Sequence, residues 1–256
     1  MTDASQGSRI VGADLQIGPD RPEGLSLHRR LPMLMLVSDR SLCDGVDGLV
    51  GAVEAAVTGG VDAVQLREKG MTSEELLALA RRLRRVTEEG RAVPTGADRS
   101  ADTRPRRALL LVNGPLAVAL AAEADGVHLP EEAPPVERPR RSFLIGRSVH
   151  SLAAARSAEA EGVDYLIAGP VYDTRSHPGR EAAGLALIEE VTRSVRTPAL
   201  AIGGVTAERV DEVVRAGASG VAVISAILAG PDRRVAAERL RRALDAAWAA
   251  VGAARS

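Results

Sequence analysis

Short apolar runs alternate with longer amphipathic stretches from about residue 31 to the C-terminus. The runs are apolar at nearly every position rather than at every second one, which is typical of strands buried on both faces of a parallel sheet. Eight such strands with interleaved helices predict a single-domain (β/α)8 barrel, a TIM barrel, over residues 31–256, with an open doubly wound sheet as the alternative. The predicted strands are 33–39, 61–66, 108–113, 126–129, 143–146, 164–169, 198–204 and 220–225.

The stretches between these strands have helical length. Thr72 (or Ser73), Ser151 and Thr206 stand where a residue would cap the start of a helix. Residues 134–140 are too rich in proline to form the fourth helix. The predicted helices are 46–58, 72–88, 115–123, 151–161, 184–194, 206–216 and 232–252.

Two polar segments lack any periodicity. Residues 1–30 are predicted to be a disordered leader, and they lack the basic and apolar blocks of a secretory signal. Residues 90–107 are predicted to be a mobile insertion on the non-catalytic side of the barrel. No uninterrupted apolar stretch reaches the roughly 18 residues that a membrane span needs. We therefore expect a cytoplasmic protein that does not enter a membrane.

Composition narrows the function classes. Aromatic residues make up 2% of the chain, so the core is aliphatic and base stacking on aromatic platforms is disfavoured. The formal net charge of −1 provides no field that would attract nucleic acid or an anionic membrane. The single cysteine, Cys43, has no partner for a disulfide or a thiolate metal site. We therefore expect a small-molecule ligand.

The last two strands predict a phosphate site. A TIM barrel builds its active site from the C-terminal ends of its strands and the loops that follow. Gly203 and Gly204 follow the seventh strand and allow the backbone to approach an anion closely, although a plain tight turn is the alternative. At the end of the eighth strand, Val223, Ser225 and Ala226 open a short segment that can add N–H donors. We predict that these five residues bind phosphate.

A second group of polar residues follows the second strand. Gln65, Arg67 and Lys69 alternate along the chain, so their side chains point towards one face. One amide and two cations suit a phosphate or carboxylate group, which arginine can bind through two bonds. The alternative is a surface cluster of ion pairs with Glu68.

The histidines supply candidate chemistry. His150 follows the fifth strand, where an imidazole that titrates near neutral pH could transfer a proton, or could instead bond the start of the next helix. His128 lies within an apolar strand and is predicted to be a core residue. His177 lies in a loop that could close over a ligand. No spacing of His, Cys, Asp and Glu predicts a transition-metal site.

Seven motifs follow one another along the predicted barrel: QLREK (65–69), VNGPLAVAL (112–120), DGVHLP (125–130), IGRSVHSL (145–152), AGPVYDT (168–174), AIGGV (201–205) and GVAVISAI (220–227). Through these motifs the chain resembles the thiamine phosphate synthase and TenI superfamily from about residue 33 to 230. Synthases of this superfamily join a pyrimidine diphosphate to a thiazole phosphate and use Mg²⁺ to neutralise the leaving pyrophosphate. TenI members are thiazole tautomerases that move a proton in a carboxythiazole phosphate without a metal.

Several positions resemble the TenI branch. The synthase motif N-D-R has Gly114 in place of its aspartate, and L-G-Q-x-D has Ala133 in place of its own, so both metal-binding aspartates are absent. GRSVHS (146–151) also resembles TenI, whereas QLREK is more typical of the synthases. The resemblance therefore implies an isomerase, a thiazole tautomerase of thiamine biosynthesis, with no metal or other cofactor.

The same resemblance assigns roles to residues. His150 becomes the acid and base, and the substrate carboxylate lies near Arg67 or Lys69. The implied partner is a small phosphorylated thiazole, and the superfamily suggests a homo-oligomer. The remaining implied substrate-binding residues are Gln65, Asn113, Ser148, Gly169, Thr174 and Ser176.

Two alternatives stay open. One is thiamine phosphate synthase itself, with Mg²⁺ held by Glu131 or Glu132 in place of the lost aspartates. The other is a non-catalytic regulator that binds thiazole phosphate.

Overall fold

The computed structural model describes residues 27–92, 106–173 and 182–255. Within them, eight parallel strands follow one another round a closed ring in sequence order, which confirms the predicted single-domain TIM barrel. Almost every strand residue is buried, as expected for strands covered on both faces. The strands are β1 (Met33–Val37), β2 (Ala63–Leu66), β3 (Leu109–Asn113), β4 (Gly126–Leu129), β5 (Leu144–Val149), β6 (Tyr165–Ala168), β7 (Ala199–Ile202) and β8 (Gly220–Val223).

Helices cover the outside of the ring. No helix lies between β4 and β5, as the proline-rich sequence there predicts. The C-terminal helix packs against the first and sixth helices, where the last strand meets the first. The α-helices are α1 (Gly45–Thr58), α2 (Ser73–Glu89), α3 (Leu116–Ala121), α4 (Leu152–Ala160), α5 (Gly184–Ser194), α6 (Val210–Arg215), α7 (Ser225–Leu228) and α8 (Arg233–Arg255).

Most element ends differ from the prediction by a few residues, and two of the differences have a clear physical cause. Strand β5 continues three residues further, to Val149, because polar Arg147 is buried and its guanidinium bonds to the carbonyl oxygens of the β4–β5 loop. Thr206 does not cap a helix, since a turn precedes α6 and the cap position falls on Arg209. The caps at Thr72 and Ser151 are confirmed by hydrogen bonds from the third residue beyond each.

Aspartates tie the strands together at the N-terminal face of the barrel. Asp62, Asp125 and Asp164 each precede a strand and accept a hydrogen bond from a backbone N–H of the preceding strand, at 2.8, 2.9 and 2.8 Å. Each also pairs with an arginine: Asp62 with Arg241, Asp125 with Arg107 and Asp164 with Arg138. These partly buried pairs stabilise the N-terminal face of the barrel, which lies opposite the catalytic face.

The two predicted polar segments are described only in part. A short 3₁₀ helix, Leu27–Arg30, begins with the buried side chain of Leu27. Arg30 Nη1 donates to the carbonyl oxygen of Arg107, 3.0 Å away. Arg91–Ala92 and Arg106–Arg107 form a two-stranded antiparallel ribbon. The rest of both segments, residues 1–26 and 93–105, lies outside the described residues. In the described part of the chain, no helix is both long and apolar enough to span a bilayer.

Candidate active site

One cavity of about 690 Å³ opens at the C-terminal ends of the strands. It brings together predicted site residues from β2, β3, β5, β6, β7 and β8 and from the loops after them, although they are up to 161 residues apart in sequence, from Gln65 to Ala226. Thr174 and Ser176 lie outside the described residues. The predicted residues that line the cavity are Gln65, Arg67, Lys69, Asn113, Ser148, His150, Gly169, Gly203, Gly204, Val223, Ser225 and Ala226.

The loop after β7 has a backbone that only glycine adopts easily. Gly203 and Gly204 have φ values of +98° and +64°. A Cβ atom on Gly203 would lie 2.6 Å from Cβ of Pro170, and one on Gly204 would lie 2.8 Å from Cβ of Tyr172. The loop therefore packs closely against the segment after β6. Across the cavity wall, α7 begins at Ser225, and the first N–H groups of a helix have no partner within it.

Arg209 holds this glycine loop from outside. Its Nη1 donates to the carbonyl oxygen of Gly204 at 2.8 Å, and its guanidinium lies 4.3 Å from the ring centre of Tyr172. Tyr172 N–H donates to the carbonyl oxygen of Gly203 at 3.0 Å. Burial and the bond to Glu212 raise the pKa of Tyr172 to about 12, so its hydroxyl stays a donor. Arg209 and Tyr172 were not among the predicted site residues, because neither belongs to a phosphate-binding motif.

Side-chain cations collect at the end of β2. Glu68 turns away from them: its carboxylate accepts from Ser38 Oγ at 2.6 Å and from the N–H and Nη1 of Arg40 at 3.1 and 3.2 Å. The side chain of Glu68 is only 2% exposed. The side chains of Arg67 and Lys69 have no hydrogen bond or ion pair within the described ranges, so they are not a cluster paired with Glu68. Two cations therefore face the cavity with their charge available.

A buried polar network forms the floor of the cavity. Ser148 Oγ lies 2.8 Å from His128 Nε2, and Tyr165 Oη lies 3.2 Å from His128 Nδ1. Asn113 Nδ2 donates to Gln65 Oε1 at 3.3 Å. Burial, with the charges of Arg67 and Arg147, lowers the pKa of His128 to about 3. His128 is thus a neutral core histidine that also lines the site, a second role that sequence reasoning did not assign.

His150 stands at the cavity wall and is paired with Glu131. Glu131 Oε2 lies 2.8 Å from His150 Nδ1 and 2.6 Å from its backbone nitrogen. Because a carboxylate only accepts, Nδ1 carries a proton, and Nε2 is the ring atom that a ligand can meet. The sequence places both residues near strand ends but does not predict their contact.

The sequence profile of the thiamine monophosphate synthase family, TMP-TENI, matches residues 34–227. The chain belongs to this family. It is 42% identical over 202 residues to the thiamine-phosphate synthase of Methanoculleus marisnigri. The aligned region covers 76% of this chain and 87% of the relative. It is also 42% identical over 196 residues to a Mycobacterium thiamine-phosphate synthase, covering 75% of this chain and 84% of the relative.

Solved structures agree with the family. The thiamine phosphate pyrophosphorylase of Pyrococcus furiosus superposes with a TM-score of 0.71 at 33% identity, covering 86% of this chain and 98% of that structure. A 3-hexulose-6-phosphate synthase at 18% identity, with a TM-score of 0.56, shares the fold alone. Membership of this family indicates that the chain is an enzyme.

The predicted thiazole tautomerase, an isomerase, is wrong. Relatives that are 34–42% identical to the chain are named thiamine-phosphate synthases. The prediction relied on two missing aspartates and gave too little weight to QLREK. Among the residues that the structure describes, Arg67 and Lys69 line the cavity without an ion pair, in addition to the glycine loop. Because a carboxythiazole phosphate also carries two anionic groups, the second anion region alone does not decide against the tautomerase, which is overturned by the relatives.

The residues around the cavity do not fit a magnesium site. Its two lining carboxylates, Glu68 and Glu131, already accept hydrogen bonds from Ser38, Arg40 and His150. Among residues 27–92, 106–173 and 182–255, no three His, Cys, Asp or Glu side chains cluster as metal ligands would. The neighbouring Glu132 is exposed and does not line the cavity. Mg²⁺ prefers several oxygen ligands in octahedral geometry, and this cavity provides no such set.

Proposed function

We propose that this chain is a thiamine-phosphate synthase that joins a phosphorylated thiazole to a pyrimidine diphosphate. The observation that carries the proposal is the pair of anion-binding regions in one cavity. One is the glycine loop with the start of α7, and the other is the cationic end of β2. Strand β1 separates them, since it pairs with β8 on one side and with β2 on the other. The names of the relatives agree with this reading.

Each region suits one of the two substrates. The first region matches a monophosphate, because backbone N–H groups can surround an anion although they carry only partial charges. Its donors are the N–H groups of Gly203, Gly204, Ser225 and Ala226, with Val223 at the strand end. Arg67 and Lys69 match the more highly charged diphosphate, and Gln65 adds an amide beside them.

The reaction requires the two substrates to meet between these regions. The thiazole ring nitrogen donates its electron pair to the methylene carbon of the pyrimidine and forms a C–N bond. The C–O bond to the diphosphate breaks, and pyrophosphate leaves with the bonding electrons. No proton is transferred in this balance. The protein therefore contributes by orienting the two reactants and by stabilising negative charge on the leaving oxygen.

The other lining residues orient the rings. Asn113 and Ser148 are held by Gln65 and His128, so they present fixed polar atoms to the cavity. His150, with its Nδ1 bonded to Glu131, offers Nε2 to the substrate. Gly169 allows the chain after β6 to pack against the end of β7, since a Cβ there would lie 2.3 Å from the carbonyl oxygen of Ile202. Contacts of Thr174 and Ser176 with the thiazole remain predictions from the sequence.

The test is incubation of the protein with both substrates, with thiamine phosphate and pyrophosphate measured together. We expect both products in equal amounts. Arg67→Gln should lower kcat/KM by about 100-fold, whereas Arg85→Gln, an exposed arginine on α2 far from the cavity, should leave it unchanged. Tight binding of thiazole phosphate without any product would contradict the proposal and favour a binding protein.

A further inference from the structure

Carboxylates near the cavity are committed to other partners. Glu68 is almost fully buried and accepts from Ser38 Oγ and twice from Arg40, while Glu131 accepts twice from His150. A divalent ion at Glu68 would compete with Ser38 and with the guanidinium of Arg40, because both carboxylate oxygens already accept hydrogen bonds. At Glu131 both bonds from His150 go to Oε2, so Oε1 is the one oxygen that this side chain could offer, far fewer than Mg²⁺ prefers.

Positive charge, by contrast, is in excess at the end of β2. The carboxylate of Glu68 is paired with Arg40, whereas the side chains of Arg67 and Lys69 have no hydrogen bond or ion pair within the part of the chain that the structure describes. The positive charge of Arg67 also lowers the pKa of the buried His128, as the second cause after burial itself. The neutral His128 adds no charge of its own. The local balance therefore favours an anion of more than one negative charge.

From these contacts we infer that pyrophosphate departure in this chain is assisted by the side-chain cations Arg67 and Lys69, without a divalent ion held by the protein. This inference rests on the proposed synthase function. In the balanced reaction, the charge that develops on the leaving oxygen meets a guanidinium that can bind through two bonds and an ammonium beside it. Preorganised charges of this kind stabilise a transition state without any metal ligand.

The first test measures thiamine phosphate formation by the full-length protein in EDTA and over a series of Mg²⁺ concentrations. We expect turnover in EDTA within about threefold of the Mg²⁺-saturated value. Product that forms only with Mg²⁺ would overturn the inference and leave the synthase function standing. No product under either condition would contradict the synthase function itself. The two failures are therefore distinguishable.

The second test removes the cations under metal-free conditions. Lys69→Met and Arg67→Met should each lower kcat in EDTA by about 10²-fold or more, the size expected when one charge donor to a developing anion is lost. Lys69→Arg keeps the charge and should retain most of the activity. Unchanged kcat in both methionine variants would overturn the inference.

The third test installs a metal site and reads Mg²⁺ binding by calorimetry, independently of activity. The double variant Gly114→Asp/Ala133→Asp places two carboxylates beside Asn113 and the β4–β5 loop. A Cβ on Gly114 would lie 3.0 Å from Leu76 Cδ2 and 3.7 Å from Val112 Cγ1, so a side chain there requires the flexible end of Leu76 to shift by a few tenths of an ångström. We expect Mg²⁺ to bind this variant but neither the unmodified protein nor the matched Gly114→Asn/Ala133→Asn variant. Equal binding heat in the unmodified protein would overturn the inference.

Discussion

Glu131 bonds His150 at two points: its Oε2 lies 2.6 Å from the backbone nitrogen and 2.8 Å from Nδ1 of the ring. One carboxylate oxygen therefore fixes both the end of β5 and the orientation of the imidazole. The loop after β4 and the loop after β5 are joined at the cavity wall by this contact, and Nε2 is left as the ring atom that faces a ligand.

Replacing Glu131 should loosen the imidazole without unfolding the barrel. In Glu131→Gln a neutral acceptor replaces a charged one, and neutral bonds are about half as strong. We expect kcat/KM of the synthase reaction to fall about two- to tenfold, with little change in the melting temperature. The control is Glu132→Gln, which neutralises the exposed neighbour. Equal losses in the two variants would show that the pairing is irrelevant to catalysis.

The glycine loop after β7 should not tolerate a side chain. Gly204 and Gly162 have similar φ values, +64° and +75°, but a Cβ on Gly162 meets nothing within 4 Å whereas one on Gly204 meets Tyr172 at 2.8 Å. Gly162→Ala should lower the free energy of unfolding by about 1 kcal/mol, from backbone strain alone. Gly204→Ala should lower the free energy of unfolding by a further 1–3 kcal/mol or so, because the added methyl group overpacks against Tyr172. The same variant should raise KM for thiazole phosphate.

Urea unfolding of both alanine variants measures the difference. A Gly204→Ala protein as stable as Gly162→Ala would mean that the loop moves away from Tyr172 at no cost. In that case KM for thiazole phosphate should also stay at its original value.

Arg209 should control affinity rather than chemistry. Its guanidinium bonds the carbonyl oxygen of Gly204 and stacks on Tyr172, so its loss frees the proposed phosphate loop. Arg209→Ala should raise KM for thiazole phosphate about three- to tenfold and leave kcat nearly unchanged. Arg215→Ala removes an exposed arginine from the same helix, paired with Asp211, and serves as the control. A fall in kcat without a change in KM would contradict this assignment.

His128 should stay neutral in the folded protein well below neutral pH. Its folded-state pKa, about 3, lies below its ordinary value of 6.5, so the unfolded chain binds more protons between these values. The free energy of unfolding should therefore fall as the pH drops from 6.5 towards 3, by up to about 1.4 kcal/mol per pH unit from this residue.

Proton NMR of the four histidines tests this directly. One imidazole should fail to titrate between about pH 8 and about pH 5, and its signals should be absent from His128→Gln. Four titrations with midpoints near 6.5 would contradict the burial and charge environment of His128.

The amino-acid sequence by itself determined the barrel and the position of its active face. Eight continuous apolar runs, broken by helix-length stretches, leave few other ways to bury so many aliphatic residues. Because the C-terminal ends of parallel strands share one face, residues such as Gln65, Asn113 and Gly203 could be placed together from local pattern alone. Local signals also located the helix caps at Thr72 and Ser151.

Only the tertiary structure decided which polar groups are partners and which charges remain available. Glu68 bonds Ser38 and Arg40 on the neighbouring strand end, about 30 residues away, and not the adjacent Arg67 or Lys69. Pairing of this kind depends on the ring order of the strands and on side-chain direction, and neither is written in a local motif. The missing aspartates were visible in the sequence, but only the neighbouring positions of β1 and β2 showed that Glu68 pairs with Arg40 and leaves Arg67 and Lys69 without a partner among the described residues.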